Sequence, residues 1–322
     1  MKPLHIVDLH CDTLMELYLQ NTDLHKWQGH INLDKLQKGG SMVQCFAVFV
    51  PTHQSAERHG VKDDPYTYFH NVADVFDREM AANADVIRPV RCVADIEKNI
   101  KDGKMSGLLT IEDSVPVDGK IERIKEFYDR GVRMMSLTWN YENCIGYPNN
   151  DEAEKHMLGL KPFGLEAIAK MDELGIVIDV SHLSEGGFWD IVKHGKKPFI
   201  ASHSCARSLM NHRRNLTDEQ LRALGEKGGI CGVNFYNNFL HVSEDDTTVE
   251  DLLHHLKHMA NVGGTDILAL GSDFDGINDK LAFKDFAGMP TIVDGLEKTF
   301  GADVADKICH GNALRVFKDV IG

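Results

Sequence analysis

With 322 residues, 43% of them hydrophobic, the chain is long enough to bury a sizeable core as a single (β/α)8 domain over 1–322 and requires no second domain. A formal net charge of -14 without a Lys/Arg cluster speaks against a nucleic-acid or anionic-membrane surface. No apolar run approaches the ~18 residues of a membrane helix, Asp8 interrupts the first apolar stretch too early for a signal-peptide core, and the seven cysteines are scattered without C-x-x-C spacing, so a reducing cytoplasm is the expected home.

The first predicted strand, near 4 to 9, runs into His10 and Asp12. Side chains alternate along a strand, so these two share a side with Asp8 and offer one imidazole and one carboxylate to a single ion. Taken alone, an H-x-D pair is equally the pattern of an exposed histidine and a helix N-cap. Cys11, on the other side, reads as a packing residue. A second strand is predicted near 42 to 49, then a long segment from 51 to 65 and a helical period over 66 to 82. The third strand, near 106 to 111, ends on Glu112, whose two oxygens could bridge two metals or serve an ordinary salt bridge; Asp113 beside it suits a cap on the following loop.

A helix over 121 to 130 closes at Gly131, and a fourth strand is predicted near 132 to 138. The segment from 139 to 162, rich in Asn, Asp, Pro, Tyr and Gly, follows it. After a helix over 164 to 174, strands near 176 to 180 and 198 to 201 deliver His182 and His203, two imidazoles on adjacent strands. A helix over 218 to 227, a strand near 229 to 233 and a helix over 249 to 262 come next; His254, His255 and His258 on the last read as surface residues. The eighth strand, near 267 to 271, ends on Asp273, a carboxylate placed to accept a proton from an attacking water and pass it to a leaving amine. Asp275 points the other way by parity and suits the turn at Gly276.

Eight alternations of strand and helix predict an α/β fold, a closed (β/α)8 TIM-type barrel with a metal site at the C-terminal ends of its strands. A doubly wound nucleotide fold would carry a Gly-rich loop after its first strand; His10-Cys11-Asp12-Thr13 stands there instead. The loops at 51 to 65 and 139 to 162 both leave the presumed catalytic face, where long loops are usually functional.

Asp8-x-His10-x-Asp12, Glu112, Asp179-Val180-Ser181-His182, Ala201-Ser202-His203-Ser204, Arg213-Arg214-Asn215-Leu216 and Gly271-Ser272-Asp273-Phe274-Asp275-Gly276 together resemble the membrane (renal) dipeptidase family of di-zinc peptidases, in unbroken order from about residue 5 to Asn312. The resemblance implies two divalent ions, Zn²⁺ by preference, one held by His10 and Asp12 and the other by His182 and His203, with Glu112 bridging and Asp273 as acid/base. It implies that Arg214 holds the substrate's C-terminal carboxylate, although Arg213 could substitute. Where many members carry a histidine after the fourth strand, this chain reads Leu137-Thr138-Trp139-Asn140-Tyr141. Indole neither accepts a proton nor ligates zinc, so Trp139 leaves the substrate contact to Asn140 or Tyr141, or to a changed specificity. The reading is a cytoplasmic zinc dipeptidase acting on small dipeptides, D-residues at the C-terminal side included, with no nucleic-acid or membrane partner and a homodimer allowed. Its alternatives are an amidohydrolase of the same barrel acting on an N-acyl amino acid or lactone, and a catalytically silent metal-binding protein.

Overall fold

A computed structural model of the chain describes residues 4–242, 246–278 and 280–322. Its strands are β1 (Ile6–Asp8), β2 (Ser41–Phe49), β3 (Ile87–Pro89), β4 (Met105–Glu112), β5 (Met134–Ser136), β6 (Val177–Asp179), β7 (Ile200–Ser204), β8 (Ile230–Val233) and β9 (Leu268–Leu270). Every pairing between them is parallel. The order β1-β2-β4-β5-β6-β7-β8-β9 returns to β1 and closes an eight-stranded barrel surrounded by helices, as predicted. β3 lies outside that ring. It pairs with Met105–Gly107 at the start of β4, while β5 takes the far end of β4 at Thr110 and Ile111. This short strand and the helix Val93–Lys101 behind it have no counterpart in the sequence reading.

Neighbouring residues of the same strand divide between two apolar clusters, as a half-period of two requires. Val7, Cys45, Leu108, Met134, Val177, Ile200, Ile230 and Ala269 pack with Val316, Phe317 and Val320 of the C-terminal helix Asn312–Ile321. Ile6, Phe46, Leu109, Met135, Ile178, Ala201, Cys231 and Leu268 pack into the larger cluster with the other helices. The C-terminal helix closes the N-terminal end of the barrel: Lys197 Nζ, just before β7, donates to Val320 O at 3.0 Å, and Val93 N donates to Gly322 O at 2.7 Å. With that end sealed, the other end carries the polar residues.

The helices follow their local signals. Thr217 and Thr248 both form capping boxes, with Gln220 and Asp251, at the starts of Asp218–Glu226 and Val249–Gly263. Gly131 ends Ile121–Arg130 in the left-handed region, a conformation that costs glycine little. The segments read as long loops hold short helices, His53–His59 and Ala153–His156. Among the described residues no helix is long and apolar enough to cross a membrane.

Candidate active site

His10, Asp12, Glu112, His182, His203 and Asp273 leave five different strands at one end of the barrel and are brought together there. Glu112 stands at the centre. Its Oε2 lies 3.2 Å from His10 Nε2, while its Oε1 lies 2.8 Å from His182 Nε2 and 3.5 Å from His203 Nε2. His10 Nε2 is also 3.6 Å from Asp12 Oδ2 and 3.9 Å from Asp273 Oδ1, and the two imidazoles of His182 and His203 approach to 3.0 Å. One carboxylate thus meets imidazoles through both of its oxygens, and His10, Glu112 and His203 present ligand atoms within 4.8 Å of one another.

The electrostatics of this cluster are those of a cation site. Burial pushes the His182 ring down to about 3, with Arg214 adding to it, and lowers His203, with His10 adding to it. Both are therefore neutral imidazoles, the form that ligates metal. Burial would raise Glu112, but His10, His182 and His203 together outweigh it and hold the carboxyl well below its usual range. Burial, followed by the charge on Glu112, pushes Asp12 up to about 8. Asp12 occupies the N-cap position of helix Thr13–Leu19 yet makes no capping hydrogen bond. Its Oδ1 and His10 Nε2 are buried without a hydrogen-bond partner among the described residues. Such orphaned donor atoms, convergent with carboxylates, fit divalent cations rather than a cap or a surface histidine.

A network beneath the cluster aims these side chains. Ser202 Oγ lies 2.7 Å from His203 Nδ1 and donates to Asp179 Oδ2 at 2.6 Å; Asp179 also accepts from Ser136 Oγ, Ser181 Oγ and the backbone N of Ser181 and Ser202. On the other side of the site, buried Asp8 accepts from Gln44 Nε2, Ser272 Oγ and Ser272 N. Such partners fix the orientation of the groups they hold. They escape sequence reading because Asp8 and Ser272 are far apart in the chain.

Asp273 adopts a left-handed backbone, φ +63°, and accepts from Asn234 Nδ2 at 2.9 Å. Its side chain stays 16% exposed, enough to meet a ligand. Asp275 accepts from Thr13 Oγ1, Trp27 Nε1 and His30 N, which anchor the turn while the residue still lines the cavity. Asp113 ties two loops together, accepting from Val115 N, Trp139 N and Asn143 Nδ2, a wider role than capping one loop; burial raises its carboxyl to about 7.

Over the cluster opens a cavity of about 350 Å³, floored by Asp12, Glu112, His182 and Asp273 and walled by Phe49 and Trp139. The Trp139 ring lies 4.9 Å from Phe49 and 6.2 Å from His182. Tyr141 packs on His53, 4.6 Å between rings. Asn140 is exposed, and neither it nor Tyr141 is among the residues that line this cavity. The inward amide of that loop is Asn143, which donates to Asp113 and Leu137 O and turns Asn140 out to solvent. The 51 to 65 segment contributes Arg58 and His59 to the cavity, residues the sequence marked only as part of a functional loop.

Arg214 and Arg213 part company. Arg213 is drawn outward to Asn149 and Asp151. Arg214 is buried, donates to His203 O and Ser204 Oγ, and leaves its Nε without a partner among the described residues. Burial lowers its guanidinium to about 10, while the charges of Asp273 and Glu112 hold it up. His255, read as a surface residue, is fully buried: its Nδ1 accepts from Ala206 N and its Nε2 bonds Leu240 O, which ties the Arg214-bearing loop to helix Val249–Gly263.

The model of the membrane dipeptidase family, peptidase family M19, matches residues 1–321. The chain belongs to this family. The dipeptidase is 35% identical over 271 residues to an uncharacterized protein in the pqqA 5′ region of Klebsiella pneumoniae, covering 81% of this chain and 98% of that one. It is 30% identical over 306 residues to an uncharacterized dipeptidase of Schizosaccharomyces pombe, covering 90% and 72%. In three dimensions it is similar to a metallo peptidase from Rhodobacter sphaeroides, solved with a phosphinate mimic of the dipeptide L-Ala-D-Ala, with a TM-score of 0.89, 25% identity, and 99% and 100% coverage. The protein is a metal-dependent dipeptidase, and its substrates are small molecules. Family membership removes the silent metal-binding alternative.

Proposed function

We propose that this dipeptidase works through two divalent ions, Zn²⁺ by preference, one of which His10, Asp12 and Glu112 would hold and the other His182, His203 and Glu112. The observation that carries this reading is the divided Glu112 carboxylate, with an imidazole within 3.2 Å of each oxygen. Mixed imidazole and carboxylate donors suit zinc. Ions bound there would supply Lewis-acid polarisation of a peptide carbonyl and a more acidic attacking water.

The chain's own residues do the rest. Asp273, held by Asn234 and open to the cavity, takes the proton of the attacking water and delivers it to the leaving amine. The buried guanidinium of Arg214, without a carboxylate partner among the described residues, pairs with the free C-terminal carboxylate of the dipeptide. Trp139 and Phe49 wall the cavity and exclude water from one side, with Tyr141 packed behind them. A C-terminal D-residue is accommodated, as the dipeptide mimic bound by the Rhodobacter sphaeroides relative supports. Seven unpaired cysteines fit a reducing cytoplasm, and the whole chain forms one barrel domain that can act as a homodimer.

Substrate class is tested by comparing dipeptides with their C-terminal amides. Charge-assisted hydrogen bonds are worth roughly 1.5–3 kcal/mol, so Arg214→Met should lower kcat/KM for free dipeptides by about 10- to 100-fold and change that for amides little. Equal cleavage of acids and amides by the wild type would remove carboxylate recognition and favour the hydrolase of N-acyl amino acids or lactones.

A further inference from the structure

The cavity has a charged side that the hydrolytic machinery does not use. Its floor is the donor cluster, but its lining continues onto Arg58 and His59 of helix His53–His59, after β2, and onto Glu16 of helix Thr13–Leu19, after β1. Arg58 is exposed and has no hydrogen bond or ion pair among the described residues. Among the described residues that line the cavity it is the only lysine or arginine; Arg213 and Arg207 lie outside it and are paired with Asp151 and Glu185. Glu16 holds Gln20 Nε2 at 2.7 Å and is not within ion-pair distance of Arg58. His59 packs edge-on against Phe49, 6.3 Å between rings, and leaves the arginine as the free polar head on that wall.

Barrel order gives this side a place along the substrate. β1 and β2 are adjacent in the ring, and β7, which leads to Arg214, lies across it. A dipeptide whose C-terminal carboxylate meets Arg214 and whose peptide bond lies over Glu112 and Asp273 therefore extends its N-terminal residue toward the loops after β1 and β2. A cavity of about 350 Å³, at the small end of ligand sites, brings that residue's side chain against the wall instead of leaving it in bulk water.

We propose that Arg58 is a specificity-determining residue that selects dipeptides with an acidic side chain on the N-terminal residue, an inference that rests on the dipeptidase reading above. An N-terminal Asp or Glu presents an ammonium and a carboxylate from one residue, and the wall offers an opposite pair, Glu16 and Arg58, to receive them. A guanidinium suits the carboxylate because its planar fork can donate two parallel hydrogen bonds. The pair is partly solvated, so the selectivity is modest and screened by salt.

The experiment measures kcat/KM of the metal-loaded protein for Glu-Ala, Gln-Ala and Lys-Ala, for wild type, Arg58→Gln, Arg58→Lys and Arg58→Glu. The wild type should prefer Glu-Ala to Gln-Ala by about 5- to 10-fold at low salt, mostly through KM, and less at high salt. Arg58→Lys should retain part of that ratio, Arg58→Gln should bring it to about 1, and Arg58→Glu should turn the preference toward Lys-Ala. Efficient cleavage of all three by wild type without an acidic preference, or a preference that survives Arg58→Gln, overturns the role of Arg58 and leaves the dipeptidase reading intact. Failure to cleave any of them, with metal bound, overturns both.

Discussion

A β-carbon on Gly276 would lie 2.0 Å from Asp12 Oδ2 and 2.7 Å from Asp273 Oδ1. The turn after β9 therefore presses bare backbone against the Asp12 carboxylate, and any side chain there must push it away. Gly276→Ala should displace Asp12 and empty the ion nearest His10 first, lowering metal content from about two to about one per chain. Elemental analysis of the purified variant reads this directly, and an unchanged content would show that the Asp12 carboxylate has room to move.

Asp273, the proposed acid/base, also presents an oxygen beside His10 and Asp12, so a test of proton transfer needs a variant that keeps that oxygen. Asp273→Asn keeps the acceptor for Asn234 and a residue type that tolerates the left-handed backbone. The variant should hold its metal and lose on the order of 10²-fold or more in kcat, the usual scale for a positioned acid/base group. Near-normal turnover with both ions in place would pass the role to solvent or to Asp275, which also lines the cavity.

His255 gives a pH dependence of stability. Burial lowers its folded pKa to about 4, below the ordinary histidine value of 6.5 that serves for the unfolded chain. Above about 6.5 neither state is protonated and His255 contributes nothing; between 6.5 and about 4 only the unfolded chain takes up the proton, so stability falls as the pH falls; below about 4 the loss levels off. The full loss is about 3 kcal/mol. Denaturant unfolding of wild type and His255→Gln at pH 7 and pH 4.5 should show most of this extra loss in the wild type alone. Parallel losses in both would place the titration elsewhere.

Strand ends were the legible part of this fold. Each of the strands before His10, Glu112, His182, His203 and Asp273 is a short, mostly apolar run that leads to a ligand-type residue, and in a parallel barrel all such ends fall at one end. What the sequence hid was tertiary. β3 is three residues long and pairs only with the start of β4, too short for a periodic signal. His255 sits on a helix with His254 and His258, a polar run whose central ring is buried only because the loop carrying Ala206 descends onto it. Asp8 and Asp179 looked like strand residues, yet their serine and glutamine partners come from other strands. Asn140 and Asn143 could not be ranked without knowing that Asp113 faces the loop.

The account stands on the bridging of two ions by Glu112, and metal content with and without that bridge tests it most directly. Wild type, dialysed after zinc loading, should carry about two ions per chain, and Glu112→Gln, which keeps the shape but weakens one oxygen toward each group of donors, should lose both together and retain well under one. A wild type that binds a single ion, or a Glu112→Gln variant that keeps its full complement, would contradict the binuclear centre.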